Sequence, residues 1–226
     1  MYQTMFATQT RSVSGFERVS LRSQHENELT ITQGEQESLT IEAPPEILER
    51  ITSKVRDGQL SIVLDGSLSE KIADALSTSL NRPRIKYHLA VKELRELELY
   101  AIATVEAPQL SAPDFSLRIK GIVDINIGRL TAERLSIDFN GPGRVKIAGT
   151  VVEQDVEVFG PGQYLAPNLA SCRARLLLHG MGQARVWVED LLEAEVRGPG
   201  GVTYSGNPKV RQRTSPIGFV TRVGSS

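Results

Sequence analysis

Apolar residues recur along the C-terminal half of the chain in pairs, two positions apart, at intervals close to twenty residues. Anchored on Ala101, Gly121, Gly141, Gly160, Gly180 and Gly198, the intervals are 20, 20, 19, 20 and 18. Four and two positions before the anchors stand Leu97 and Leu99, Leu117 and Ile119, Ile137 and Phe139, Val156 and Val158, Leu176 and Leu178, and Ala194 and Val196. In a chain that is 40% apolar, chance fills all twelve places only about once in 10⁵ trials. Four positions beyond the anchors come Val105, Ile125, Val145, Tyr164, Ala184 and Val202. Six beyond come Ala107, Ile127, Ile147, Ala166, Val186 and Tyr204. The places between are mostly polar, as in the row Glu98, Arg118, Asp138, Glu157, Leu177 and Glu195. A period of two is the mark of a strand with one face inward, so each repeat holds two short strands meeting at the anchor.

Twenty residues at roughly 3.3 Å each trace about 66 Å, enough for a closed three-sided rung. The pattern predicts an all-β chain, with a β-solenoid of six rungs from Leu94 to Pro208 inside a domain spanning 84–208. Each rung buries its apolar edge on the next. Gly141-Pro142-Gly143, Gly160-Pro161-Gly162 and Gly198-Pro199-Gly200 suit the corners, combining permissive and fixed dihedrals. A leucine-rich repeat fits the spacing of Leu94, Leu97 and Leu99, but the asparagine it needs is missing from the other rungs.

The N-terminal region, 11–65, reads as hairpins. Leu29-Thr30-Ile31 and Leu39-Thr40-Ile41 alternate apolar with polar around a polar stretch, predicting one hairpin. Ala43-Pro44-Pro45-Glu46 opens a short helix carrying Ile47, Leu48 and Ile51. Val55, then Leu60 and Ile62, flank Asp57-Gly58, a pair that tolerates positive φ and predicts a second hairpin. Residues 66–83 are expected to form a linker or an amphipathic helix with Leu68, Ile72, Leu76 and Leu80 on one face. Residues 209–226 are expected to be a tail. Whether the N-terminal third is a separate domain or further rungs stays open.

Charge and composition narrow the function. With 26 basic and 27 acidic residues the net charge is −1, which argues against electrostatic capture of nucleic acid or an anionic membrane. No apolar run reaches the roughly 18 residues of a membrane span. Met1 to Thr10 has no basic start and no continuous apolar core, so no secretory signal is expected there. Cys172 stands alone, so no intramolecular disulfide forms, and it is expected to be a small buried side chain.

No reaction signature emerges. The Gly-x-Gly corners lack the helix and the Lys-Ser/Thr of a phosphate loop. Val145, Tyr164 and Val202 occupy the place where a calcium-binding repeat needs aspartate. A polysaccharide lyase needs acids gathered on one outer face with an Arg or Lys base. Here outward charges alternate in sign, Glu98, Arg118 and Asp138 in one row and Asp124 and Arg144 in another, which predicts pairing between rungs. His25, His88 and His179 show no metal spacing, and His88 is expected at the surface. No cofactor or metal is expected. One outward row stands out: Tyr100, Lys120, Asn140, Phe159, His179 and Arg197, each just before a corner. Stacked along an edge, such rings and hydrogen-bonding groups suit a carbohydrate or another extended polymer. Corner-flanking rings can equally do no more than cover the turn below.

The runs Val13-Ser14-Gly15-Phe16-Glu17-Arg18-Val19, Leu29 to Glu35, Ser38 to Ile41, Val55 to Ile62 and Val196 to Pro208 resemble a bacterial family of unassigned function. This is the auto-transporter adhesin head, or GIN, domain, and the resemblance covers roughly Arg11 to Pro208. It implies a right-handed β-helix of the pectate-lyase-like class and a cell-surface or periplasmic setting. It offers no catalytic residues. The expected function is therefore a non-enzymatic, adhesin-like binding module with a carbohydrate or protein surface partner. A polysaccharide lyase or hydrolase on the same scaffold, and a structural unit oligomerising through its solenoid ends, are the alternatives.

Overall fold

The computed structural model describes residues 5–64 and 84–223. The strands are β1 (Ala7–Arg11), β2 (Arg18–Gln33), β3 (Ser38–Ala43), β4 (Ile51–Arg56), β5 (Gln59–Leu64), β6 (Ile85–Val91), β7 (Glu96–Ala107), β8 (Leu110–Ser111) and β9 (Asp114–Lys120). They continue as β10 (Ile122–Asn140), β11 (Gly143–Phe159), β12 (Gln163–His179), β13 (Gln183–Arg197), β14 (Gly201–Ser205), β15 (Lys209–Thr214) and β16 (Phe219–Arg222). One short helix, α1 (Pro45–Leu48), lies between β3 and β4.

From β2 and β7 to the end, neighbouring rungs pair in parallel, forming a β-solenoid of about six turns. Three blocks of register per turn define its sides. In the third of these rungs they are Ile122–Ile127 on β7, Leu130 and Thr131 on β8, and Arg134–Asn140 on β9. The predicted inward rows are real columns. Val19, Leu97, Leu117, Ile137, Val156, Leu176 and Ala194 stand over one another, and so do Leu21, Leu99, Ile119, Phe139, Val158, Leu178 and Val196. All are at most 4% exposed, so the alternation seen in sequence is the interior of the coil. Burying each Leu, Ile or Phe contributes roughly 1.5–3 kcal/mol.

The stack runs past 84–208 at both ends. The N-terminal third is not separate: β2 is itself a rung, pairing with β7 through Arg18–Ser23 and Glu26–Thr30, with a bulge at Gln24 and His25. On its other side lie β5 and β6, parallel to its two halves. Residues 209–222, expected as a tail, form β15 and β16 and lie on β13 and β14. The stretch 66–83, expected as a linker or helix, lies outside the described residues.

Of the two predicted hairpins, β4–β5 forms, with Asp57 at φ 49° and Gly58 at φ 73° in its turn. The other does not. Strand β6 lies between β2 and β3, so Tyr87 faces Leu29 on one side and Ile41 on the other. Alternation reports which face is buried, whereas the partner is set by the far end of the chain. Helix α1 buries Ile47 and Leu48, and Ile51 belongs to β4.

Glycine is required where rungs meet backbone to backbone. Gly141 and Gly143 have φ of 140° and 127°, and a Cβ on them would strike the carbonyl oxygens of Gly121 and Val123 in the rung below. At the first anchor no corner residue interrupts the strand: Ala101 sits inside β7 and is buried. One polar group enters the apolar column of Phe115 and Leu135. There Gln154, 2% exposed, accepts from the buried Tyr164 hydroxyl (2.9 Å) and donates to Ser171 (2.7 Å). Ser171 donates in turn to the carbonyl of Trp187 (2.9 Å). Burial holds the Tyr164 phenol protonated far above its ordinary range, fixing it as the donor.

Two stability predictions follow from these contacts. Tyr164→Phe keeps the shape but orphans the Gln154 carbonyl oxygen, and should cost about 1–3 kcal/mol in denaturant unfolding. A neutral result would show that the hydroxyl is dispensable. Gly141→Ala should lower the unfolding midpoint by more than about 2 kcal/mol of stability, since it meets both a backbone clash and an unfavourable φ. Gly34→Ala, with nothing within 4 Å of the new methyl, is the matched control and should stay within about 0.5 kcal/mol.

Candidate functional site

The outer surface is organised by the same columns as the interior. On the side carrying β9 and its equivalents, charges meet across rungs. Arg134 pairs with Asp114 (2.6 Å), Arg175 with Asp155 (3.2 Å), Arg211 with Glu193 (2.8 Å), and Arg173 with Glu153. Arg118 reaches both Glu96 and Glu98. Past the corner, Arg144 pairs with Asp124 (2.5 Å). The predicted pairings Glu98–Arg118 and Asp124–Arg144 are both present. The Arg134 hydrogen bond holds the Asp114 carboxyl below its usual range, and Arg197 does the same for Glu195. Glu96 foremost, then Glu98, raises Arg118. Among the described residues no three His, Cys, Asp or Glu come together in a way that could hold a metal ion. Asp114, Asp124, Glu153, Asp155 and Glu193 on this surface are each engaged with an arginine.

The row before the corners comes together as one line. Lys120 is in register with Asn140, Asn140 with Phe159, Phe159 with His179 and His179 with Arg197. Tyr100 precedes them, with the Lys120 ammonium 5.8 Å from its ring centre. Phe159 and His179 stack face to face, centroids 4.6 Å apart and planes within 7°. All six predicted positions therefore share one edge: Lys120, Asn140 and Arg197 are exposed, and Tyr100, Phe159 and His179 half-buried.

Two features of this edge escaped the sequence reading. Arg22 of β2 begins the row, its guanidinium 4.6 Å from the centre of the Tyr100 ring. Spacing does not mark it, because Arg22 lies 78 residues before Tyr100 and outside the twenty-residue repeat. Immediately past the corner runs a second line, Ile102, Ile122, Pro142, Pro161, Met181 and Pro199, all exposed. Its signal was available, since every anchor is followed by an apolar residue. With rungs about 4.8 Å apart, the seven residues from Arg22 to Arg197 span roughly 29 Å.

The remaining candidates lie elsewhere. His88 is at the surface of β6, 3.5 Å from Glu42, as expected. Cys172, expected buried, is only partly so: it lies in β12 at the register shift between Ser171 and Arg173, beside the buried Ser171. Among the described residues, no helix is long and apolar enough to cross a membrane.

A solenoid whose outer columns present a long, regular strip is a repeat scaffold for display of a surface. The chain belongs to the family described as "Putative auto-transporter adhesin, head GIN domain", whose model matches residues 15–208. No curated protein matches its sequence. Among solved structures it resembles one described as a putative adhesin of Bacteroides fragilis. That match has a TM-score of 0.86, with 98% of each chain covered and 21% identity. A putative adhesin of Parabacteroides distasonis has a TM-score of 0.69 over 97% of each chain, at 18% identity. A protein of the same species described as a putative lipid binding protein has a TM-score of 0.67 over 97% of each chain, at 17% identity. At these identities the likeness is one of fold. By family and fold, the protein is grouped with adhesins.

The paired carboxylates make a titration prediction. Asp114 and Glu195 are depressed in the folded state, so their stabilising effect is present above the unfolded values near 4 and is lost as pH falls through the folded ones. Carboxyl-carbon NMR should place the Asp114 midpoint below that of an unpaired aspartate, and Arg134→Gln should return it. An ordinary Asp114 midpoint in the native chain would show that the pair does not persist in solution.

Proposed function

We propose that the protein is a non-enzymatic, adhesin-like module that binds an extended, acceptor-rich polymer along its corner edge, a carbohydrate being the fitting class. The observation that carries this is the composition of the edge. Arg22, Lys120, Asn140, His179 and Arg197 supply donors, and the row contains no carboxylate. The Tyr100 ring lies against Arg22 and Lys120, and Phe159 and His179 each cover one face of the other. A partner lying along the edge therefore meets the rims of the Tyr100 and Phe159 rings. An aromatic rim is the positive part of the ring quadrupole and favours oxygen. Family membership and the adhesin descriptions of similar folds support a binding role over turnover.

The exposed line of Ile102, Ile122 and Met181 favours one second reading, an apolar or lipid partner, in keeping with the description of one structural neighbour. A glycan and polysaccharide array that includes acidic polymers separates the two from an arm of phospholipid vesicles. A saturable polysaccharide hit should weaken at least about tenfold in Tyr100→Ser/Phe159→Ser, a loss of about 1.4 kcal/mol. The fold should stay intact, since both side chains face outward. Binding that survives the double substitution removes the edge from the site. Vesicle binding lost in Ile122→Ser/Met181→Ser would establish the apolar reading instead.

A further inference from the structure

We propose that the outer edge of β15 is a docking site for an acidic polypeptide segment, taken up in extended form as an added strand. The edge is available. Strand β15 bonds to β13, and β16 to β14, and among the described residues no strand lies on their far sides. The backbone bonds that close this rung, from the N–H of Ser215, Phe219 and Val223, all run back to the rung below. An unpaired strand edge offers a row of donors and acceptors to any extended chain that reaches it.

The side chains specify what that chain must carry. One outer column reads Asp155, Arg175, Glu193, Arg211, and its members pair at 3.2 Å and 2.8 Å. The adjoining column ends Glu195, Arg213. The first column alternates in sign, the second does so only over its last pair, above Asp138, Glu157 and Leu177, and both stop on an arginine, so the next place in each calls for a carboxylate. The end rung supplies none. From Gly206 to Val223 the chain carries Lys209, Arg211, Arg213 and Arg222 and no acid. Arg211 keeps a side-chain exposure of 63% although it is paired.

Inside the coil, Val210 and Val220 are only half-buried, whereas Leu192 and Val202 beneath them are fully buried. An incoming strand that places acids over Arg211 and Arg213 necessarily places the residue beside them over Val210. The matching segment is therefore an apolar residue, an acid, any residue and a second acid in succession, or the reverse order if it binds antiparallel.

A second copy of the chain does not fit. Two such ends facing each other oppose arginine to arginine. The edge strands at the other end, β1 and β4, carry Arg11, Lys54 and Arg56 and no acid. The same charges that keep copies apart leave the edge open to a segment of opposite sign.

The test uses the whole protein and a synthetic peptide of alternating valine and glutamate, with binding followed by fluorescence anisotropy. Saturable binding is expected, weakening at least about tenfold between low and high salt as an exposed ionic contact must. Arg211→Glu/Arg213→Glu should lose that peptide and gain its valine–lysine counterpart. A peptide with proline in place of each valine keeps the charge but loses backbone donors and extended pairing, and should bind at least about tenfold less well. Four results would each overturn the proposal: no binding; equal binding to the charge-reversed variant; equal binding of the proline peptide, which would mean charge attraction alone; or sedimentation showing copies joined through this edge.

Discussion

Parallel, in-register stacking is the constraint from which the rest of this molecule follows. Each residue in a rung stands directly over its counterpart about 4.8 Å away, held there by the backbone ladder. A side chain's nearest neighbour is therefore its own position in the adjacent repeat. In the interior this makes columns such as Leu29, Val105, Ile125, Val145, Tyr164, Ala184, Val202 and Val220. At the corners it brings backbone so close to backbone that Gly141 and Gly143 have no room for a Cβ. On the outside, a charge repeated at one position would meet itself in every rung. Alternation of sign, as in Asp155, Arg175, Glu193 and Arg211, is the stable solution.

That constraint also explains what could be read from the sequence. Repetition in space is repetition in the chain, so the core of β7 to β14, the corner glycines and the shared edge of Tyr100, Phe159 and His179 followed from spacing alone. Where repetition fails, so does legibility. Strand β2 carries the same inward residues, Val19, Leu21 and Leu29, but a bulge at Gln24 and His25 shifts its phase. Its paired residues in β5, β6 and β7 lie 41 to 78 positions away, and local alternation alone points to a hairpin. Gln154 gave no warning of its place in an apolar column, because its partners Tyr164, Ser171 and Trp187 come from other sides of the coil. The apolar line past the corners is periodic in the sequence, but proline, isoleucine and methionine carry no chemistry that marks a site.

The outer columns differ in what they leave for a partner. Along the charged side, carboxylates such as Asp114, Asp155 and Glu153 already have their arginines, and exposed pairs of this kind add little stability individually. Their effect is to neutralise that face, in keeping with the balanced net charge. The row from Arg22 to Arg197 has no acids with which to pair within itself. Arg197 pairs with Glu195 of the neighbouring column, while Arg22 and Lys120 lie against the Tyr100 ring instead, a contact worth about 0.5–1 kcal/mol at such exposure. Such a contact leaves N–H donors directed outward, so the corner edge keeps hydrogen-bonding capacity that the flanking side has already used.

A column cannot end the way it continues. Every interior rung has a neighbour on both sides to absorb its backbone bonds and complement its charges, and β15 has one. The chain softens this ending. Gln212 and Thr214 take the places that Ala194 and Val196 hold below, so the apolar interior gives way to polar groups before it reaches solvent. The backbone edge remains, and so do arginines with no acid on their open side. Besides the edge strands β1 and β4 at its other end, the solenoid offers a partner two surfaces: the corner, where the row is rich in donors, and the last strand, where the alternation stops. In the function we propose, the first would take a partner that is itself long and repetitive, because each rung places a side chain at a fixed interval. The second suits a short segment that repeats nothing and completes one rung, so the two surfaces call for different kinds of partner on physical grounds.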